Sequence, residues 1–134
     1  MSDSLRVAGF VFVELYVEEP AYYVRIFRDA LGFQVTRDEG DFVELRSAHA
    51  IVLLNTFEEP DAGHPFEHFR AERRRGLGVE IGIVSEKIHE AWGAAKAIEG
   101  LSVSDVVTQE WGMTDFRIVT PHGYYLRVTT PPAS

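Results

Sequence analysis

The sequence predicts an α+β fold made of two tandem βαβββ modules, with a small-molecule cavity between the halves. Three observations predict it. Residues 11–35 align without a gap on residues 79–103, so that Val11 meets Val79, Glu18 meets Glu86, Gly32 meets Gly100 and Val35 meets Val103. Both copies run in the same order: alternating apolar strand, helix, glycine stop, further strands. The chain of 134 residues, 46% hydrophobic, is one domain's worth of material with enough apolar residues for a core.

Val11, Val13, Leu15 and Val17 alternate with Phe12, Glu14 and Tyr16, the pattern of a half-buried strand. Glu18, Glu19 and Pro20 open a helix, because proline suits the first turn and acids suit the positive end of the dipole. Tyr23, Val24, Phe27, Ala30 and Leu31 follow at helical spacing, and Gly32 is a left-handed stop. Strands are expected near Gln34–Arg37, Asp41–Arg46 and Ala50–Asn55.

In the second copy Val79, Ile81 and Ile83 alternate with Glu80, Gly82 and Val84. Ser85 is the candidate N-cap of a helix whose stripe is Ala91, Trp92, Ala95 and Ile98, stopped by Gly100. Strands are expected near Val103–Thr108, Asp115–Thr120 and Tyr124–Thr129. In this later part Phe42 aligns on Phe116 and Leu53 on Arg127, with extra residues around Gln109, Glu110, Trp111, Gly112 and Met113. Extra residues there form a loop, and loops over cavities carry binding residues. The chain divides into a first module over 1–57, a connector over 58–76 and a second module over 77–134. His64–Arg75 suggests a short amphipathic helix inside the connector.

Composition narrows the function. There is no cysteine, which removes disulfides, thiolate metal sites and cysteine nucleophiles. A net charge of −8 argues against nucleic acid, and the basic run Arg70–Arg75 contains Glu72 and follows Glu67, as a solvated helix end does. No apolar run approaches the roughly 18 residues of a membrane span, and the first residues do not read as a secretory signal. A cytoplasmic protein without membrane association is the expectation.

Three stretches carry a resemblance: Val13–Val17, Phe27–Phe33, and Trp111–Phe116 continuing through Thr120–Arg127. With the tandem βαβββ layout, they make the chain similar to the vicinal oxygen chelate superfamily of glyoxalase I, extradiol dioxygenases and bleomycin-resistance proteins. The resemblance implies that each module curls its sheet into half of an open, cupped barrel around a small-molecule site. It also implies a homodimer, with Phe57, Phe66 and Phe69 as candidate contacts. Fold does not settle chemistry, because the superfamily includes isomerases, lyases, dioxygenases and binders.

In metal-using members the ligands stand on the first and fourth strands of each module. Those positions here are Phe12, Leu53, Glu80 and Arg127. Phe12 and Leu53 have no donor atoms, and a guanidinium repels a cation, so no metal or other cofactor is expected. Glu80 and Arg127 are instead expected to pair across neighbouring strands. The histidines (His49, His64, His68, His89 and His122) fall in turns, the connector or a helix start, away from the cavity strands.

The expected ligand site is therefore Phe12, Glu14, Tyr16, Leu53, Glu80, Trp111, Tyr125 and Arg127, an apolar and aromatic surface with a few fixed polar groups. One reading is a metal-free binder of an aromatic or cationic organic molecule. A second is a metal-independent lyase or isomerase, with Glu80 or Glu14 as general base and Arg127 as anion clamp. A third is a metal-dependent glyoxalase-like or dioxygenase-like enzyme with unusual ligands.

Overall fold

The computed structural model describes residues 9–56, 64–66 and 74–132. The first module contains β1 (Val13–Val17), α1 (Pro20–Val24), β2 (Gln34–Asp38), β3 (Phe42–Arg46) and β4 (Ile51–Thr56). The second contains β5 (Ile81–Val84), α2 (Ile88–Lys96), β6 (Ser102–Val103), β7 (Val107–Thr108), β8 (Thr114–Val119) and β9 (Tyr125–Thr129). The first sheet has the order β1-β4-β3-β2, and the second has β5-β9-β8-β6 with β7 also on β8. In each module the first strand lies parallel to the last, and the other neighbours are antiparallel. The expected α+β architecture of two βαβββ modules is therefore the observed one.

Pro20 occupies the start of α1, where its missing N–H leaves nothing unpaired. The helix then widens into a π-helical stretch, Arg25–Ala30, in which Leu31 N–H reaches the Ile26 carbonyl at 3.2 Å. This wider turn keeps Ile26, Phe27 and Ala30 buried together. Gly32 and Gly100 follow the two helices with φ of 79° and 85°, the left-handed geometry in which glycine has no Cβ penalty.

Three expectations need correction. The N-cap of α2 is Lys87, not Ser85; Ser85 Oγ accepts the Lys87 N–H at 3.1 Å and closes a turn ahead of the helix. The strand expected over Val103–Thr108 is broken into β6 and β7. Ser104 causes the break: its Oγ takes the Arg117 N–H at 2.8 Å, while Trp92 Nε1 holds its carbonyl at 2.9 Å. The match of Phe42 to Phe116 is one residue out of step. Phe116 is buried in the core, whereas Phe42 lies on the opposite face, in register with Asn55. Most of the connector helix expected over His64–Arg75 lies outside the described residues, as do Phe57, His68 and Phe69. The described parts of the connector are turns.

One core serves both modules. Val17, Phe27, Leu45 and Leu54 of the first and Phe116, Ile118, Leu126 and Val128 of the second belong to a single buried cluster. The Arg25–Ala30 stretch packs on α2, α1 packs on β3 and β4, and α2 packs on β8 and β6. Both helices thus lie between the two sheets. Polar stitches reinforce the seam. Tyr23 donates its hydroxyl to Thr120 Oγ1 at 2.9 Å, Tyr124 donates to the Tyr16 carbonyl at 2.7 Å, and Tyr22 donates to the Glu99 carbonyl at 2.6 Å. At the end of the connector, Gly76 lies so close to the β8–β9 turn that a Cβ there would stand 2.7 Å from the Gly123 carbonyl oxygen. Among the described residues no helix is long and apolar enough to cross a membrane.

Burial pushes the Tyr23 phenol up to about 12 from its ordinary 10.0, partly offset by its hydrogen bond to Thr120. The unfolded chain releases this proton first. The stability it contributes is therefore complete below pH 10.0 and is lost as pH rises through about 12. Tyr23→Phe is expected to lower stability at neutral pH by about 1 kcal/mol and to flatten this alkaline decline. Urea unfolding of both proteins across that pH range checks it.

Candidate functional site

Each sheet gives one face to the core and leaves the other outside. On β1 the core takes Val13, Leu15 and Val17, which turns Glu14 and Tyr16 outward, and Phe12 stands exposed just before the strand. On β9 the core takes Leu126 and Val128, which turns Tyr125 and Arg127 outward. Alternation does set these side chains opposite the helices, but the space between the halves, expected to be the cavity they line, is filled by the shared core, so they stand on outer faces instead.

On the first outer face, Glu14 of β1, Leu53 of β4 and Glu44 of β3 stand in register as one row. Glu14 Oε2 accepts Asn55 Nδ2 at 3.1 Å. Glu44 is held by Arg46 at 2.9 Å and by the Thr36 hydroxyl at 3.1 Å, and the Arg46 hydrogen bond is the main cause that keeps its carboxyl below the usual range. Tyr16 packs edge-on against Phe66, with ring centroids 5.3 Å apart, so the connector touches this end of the face.

The equivalent row of the second module is Gly82 of β5, Arg127 of β9 and Arg117 of β8. Tyr125 donates its hydroxyl to Glu80 Oε1 at 2.6 Å, and Arg127 Nη1 lies 3.9 Å from Glu80 Oε2. Burial first, then the Glu80 carboxylate, push the Tyr125 phenol up, and the Arg117 guanidinium partly offsets them. Arg127 Nε is buried with no hydrogen-bond acceptor. The expected pairing of Glu80 with Arg127 is thus present but long, because Glu80 also serves Tyr125. Beside Glu80 and Tyr125 an open cleft of about 400 Å³ is lined by Arg74, Gly76, Leu77, Val79 and Val119.

The structure brings Glu14 and Leu53 together on one face, and Glu80, Tyr125 and Arg127 together on the other. It does not bring the two groups to one cavity within a chain, because the shared core separates them. Trp111 is 60% exposed at the β7–β8 turn. That turn adjoins Asp115 and Thr129, whereas Tyr125 pairs with Val119 at the far end of the same strands. Four residues of strand put Trp111 on the order of 13 Å from the Glu80 cluster.

Arg117 was missed. The alternation of Phe116, Arg117 and Ile118 carries the signal, but the one-residue slip that paired Phe42 with Phe116 hid its equivalence to Glu44.

The four strand positions to which the resemblance assigns metal ligands do not fit an ion here. Phe12 and Leu53 are hydrocarbon, Arg127 is a cation, and Glu80 is already engaged by Tyr125 and Arg127. Among the described residues no group of three or more His, Asp or Glu side chains is placed to hold a metal.

Arg127 is 29% exposed and poorly paired, and Glu80 stays hydrated without it. Arg127→Leu is therefore expected to leave unfolding free energy within about 1 kcal/mol of wild type. Chemical denaturation measures this, and a loss above about 2 kcal/mol would contradict the weak pairing.

No protein-family model matches the sequence, and no curated protein matches it. Solved structures do match. The chain is similar to a glyoxalase/bleomycin resistance protein/dioxygenase family enzyme from Burkholderia phytofirmans PsJN, with a TM-score of 0.68 and 13% identity, covering 92% of this chain and 98% of that one. It is similar to a bleomycin resistance determinant encoded on transposon Tn5, with a TM-score of 0.59 and 14% identity over 94% and 100% of the two chains. It is also similar to a bleomycin-binding protein complexed with bleomycin, with a TM-score of 0.58 and 14% identity over 92% and 99%. Over nearly its whole length, the chain has the fold of the glyoxalase/bleomycin resistance/dioxygenase superfamily.

Proposed function

We propose that this protein binds a small, aromatic organic molecule without a metal, in a site completed by a second copy of the chain. The observation that carries the reading is the pair of open outer faces. Each holds aromatic or apolar side chains and a few oriented polar groups, the make-up of a small-molecule pocket, yet the described residues of one chain enclose neither. A neighbour of the same fold was solved with bleomycin, which supports a binding role.

The edges argue for the second copy. β1 and β5 end their sheets, and the residues leading into them are apolar: Val11 is 85% and Leu77 is 74% exposed. Open edges with apolar flanks seek partners. A twofold pairing that sets β1 of one copy beside β5 of the other covers both edges and forms two identical sites. Each site then has Glu14 and Glu44 on one wall and Arg117 and Arg127 on the other. Phe12, Tyr16 and Leu53 supply its apolar surface, and Trp111 stays a candidate contact at the rim.

An enzymatic reading keeps one point of support. Glu14 is half-buried, and Asn55 is its one hydrogen-bond donor among the described residues, an arrangement open to a general base. Glu80, held by Tyr125 and Arg127, is the weaker candidate.

Sedimentation equilibrium at micromolar concentration is expected to give twice the chain mass of 15.1 kDa. Val11→Asp combined with Val79→Asp is expected to give a folded monomer by circular dichroism. A 15.1 kDa wild-type species would remove the two-chain site. Thermal shifts with aromatic compounds, without turnover, favour the binder; turnover abolished by Glu14→Gln favours the enzyme.

A further inference from the structure

The outer face of the second sheet carries a charge arrangement that the strands alone do not explain. Arg117 and Arg127 are register partners on β8 and β9, and both point away from the core because Phe116, Ile118, Leu126 and Val128 fill it. Directly opposed residues on neighbouring strands hold their Cβ atoms about 5 Å apart, and like charges there repel. The equivalent row of the first module carries Glu14, Leu53 and Glu44, so the second arginine is no requirement of the fold.

The neighbouring acids do not settle these two cations. Glu80 approaches Arg127 only to 3.9 Å and gives its other oxygen to Tyr125 at 2.6 Å. Asp115 lies one step further along the same face, buried, and takes Gln109 Nε2 at 3.0 Å. Arg127 Nε is left buried without an acceptor. Arg127 thus has one distant carboxylate, and Arg117 faces the Tyr125 phenol, whose raised pKa it partly offsets, with no carboxylate in ion-pair reach among the described residues, on a chain whose net charge is −8. A planar oxyanion between two guanidiniums meets their forked donors and removes the repulsion. The adjoining cleft, with Val79, Val119 and the Tyr125 ring, offers an apolar surface to the rest of such a molecule.

We propose that Arg117 and Arg127 form a carboxylate clamp, and that the ligand is a small organic acid whose apolar part lies in the cleft beside Tyr125. This rests on reading the outer faces as a small-molecule site, and it adds the charge the ligand must carry there. Arg117 is the specificity residue this assigns. Arg127 shares the load and supplies the unfilled donor.

Phenylalkanoic acids of graded chain length, with their matched amides and amines, test the clamp by isothermal titration calorimetry on the intact protein. The best acid is expected to bind at least tenfold more tightly than its amide and amine, and to weaken as salt rises. Arg117→Gln, at an exposed position, and Arg127→Gln are each expected to bring acid and amide within about threefold, with circular dichroism unchanged. Binding of amide or amine as tight as the acid overturns the clamp and leaves the small-molecule reading standing. An acid preference that survives in both folded variants also overturns it. Binding of none of the probes overturns the small-molecule reading, and the clamp falls with it.

Discussion

Each sheet has a single face to give to the shared core, and that constraint fixes where every strand residue goes. The helices of both modules fill the space between the sheets, so the apolar positions of β1, β4, β8 and β9 turn inward toward them. Everything at the opposite parity is forced to the outside. Glu14 and Arg127 have polar partners in Asn55 and Glu80, but the face they stand on is set by Val13, Leu15, Leu126 and Val128 on either side of them. The chemistry of the outer faces is therefore built by packing, and a change in the core that slipped a strand by one residue would bury the site.

Much of this was legible in the sequence because period-2 alternation and the glycine stops are local signals. The two βαβββ modules, both helix stops and the parity that sets Glu14, Leu53, Tyr125 and Arg127 on the strand face away from the helix follow from them, but not that this face lies outside rather than around a cavity between the halves. What was not legible depends on tertiary contacts. Ser104 breaks a strand because its hydroxyl captures the Arg117 amide, a partner 13 residues away. Arg25–Ala30 widens into a π-helical stretch with no residue type that announces it. The separation of the two clusters of site residues depends on how the helices dock, which no local pattern encodes. The slip at Phe116 had a particular cause: the turn from β8 to β9 is one residue longer than that from β3 to β4, so a single offset does not match both strands.

The two modules have like cores and unlike outer faces. Where the first module has Glu14, Leu53 and Glu44 in a row, the second has Gly82, Arg127 and Arg117. Core positions tolerate only apolar residues of suitable volume, so both copies remain constrained there. Outer positions carry no such demand, and these two rows differ in charge.

The close approach of Gly76 to Gly123 bears on how this chain can vary. The last residues of the connector are seated on the β8–β9 turn, backbone against backbone, with Arg75 N–H donating to the His122 carbonyl at 2.9 Å. That seat fixes the point from which β5 sets out, whatever precedes it. Insertions and deletions ahead of Arg74 leave the start of the second module where it is. A single added residue between Gly76 and Ile81 would shift Glu80 out of reach of Tyr125, so chain-length variation is expected to stop at that seat.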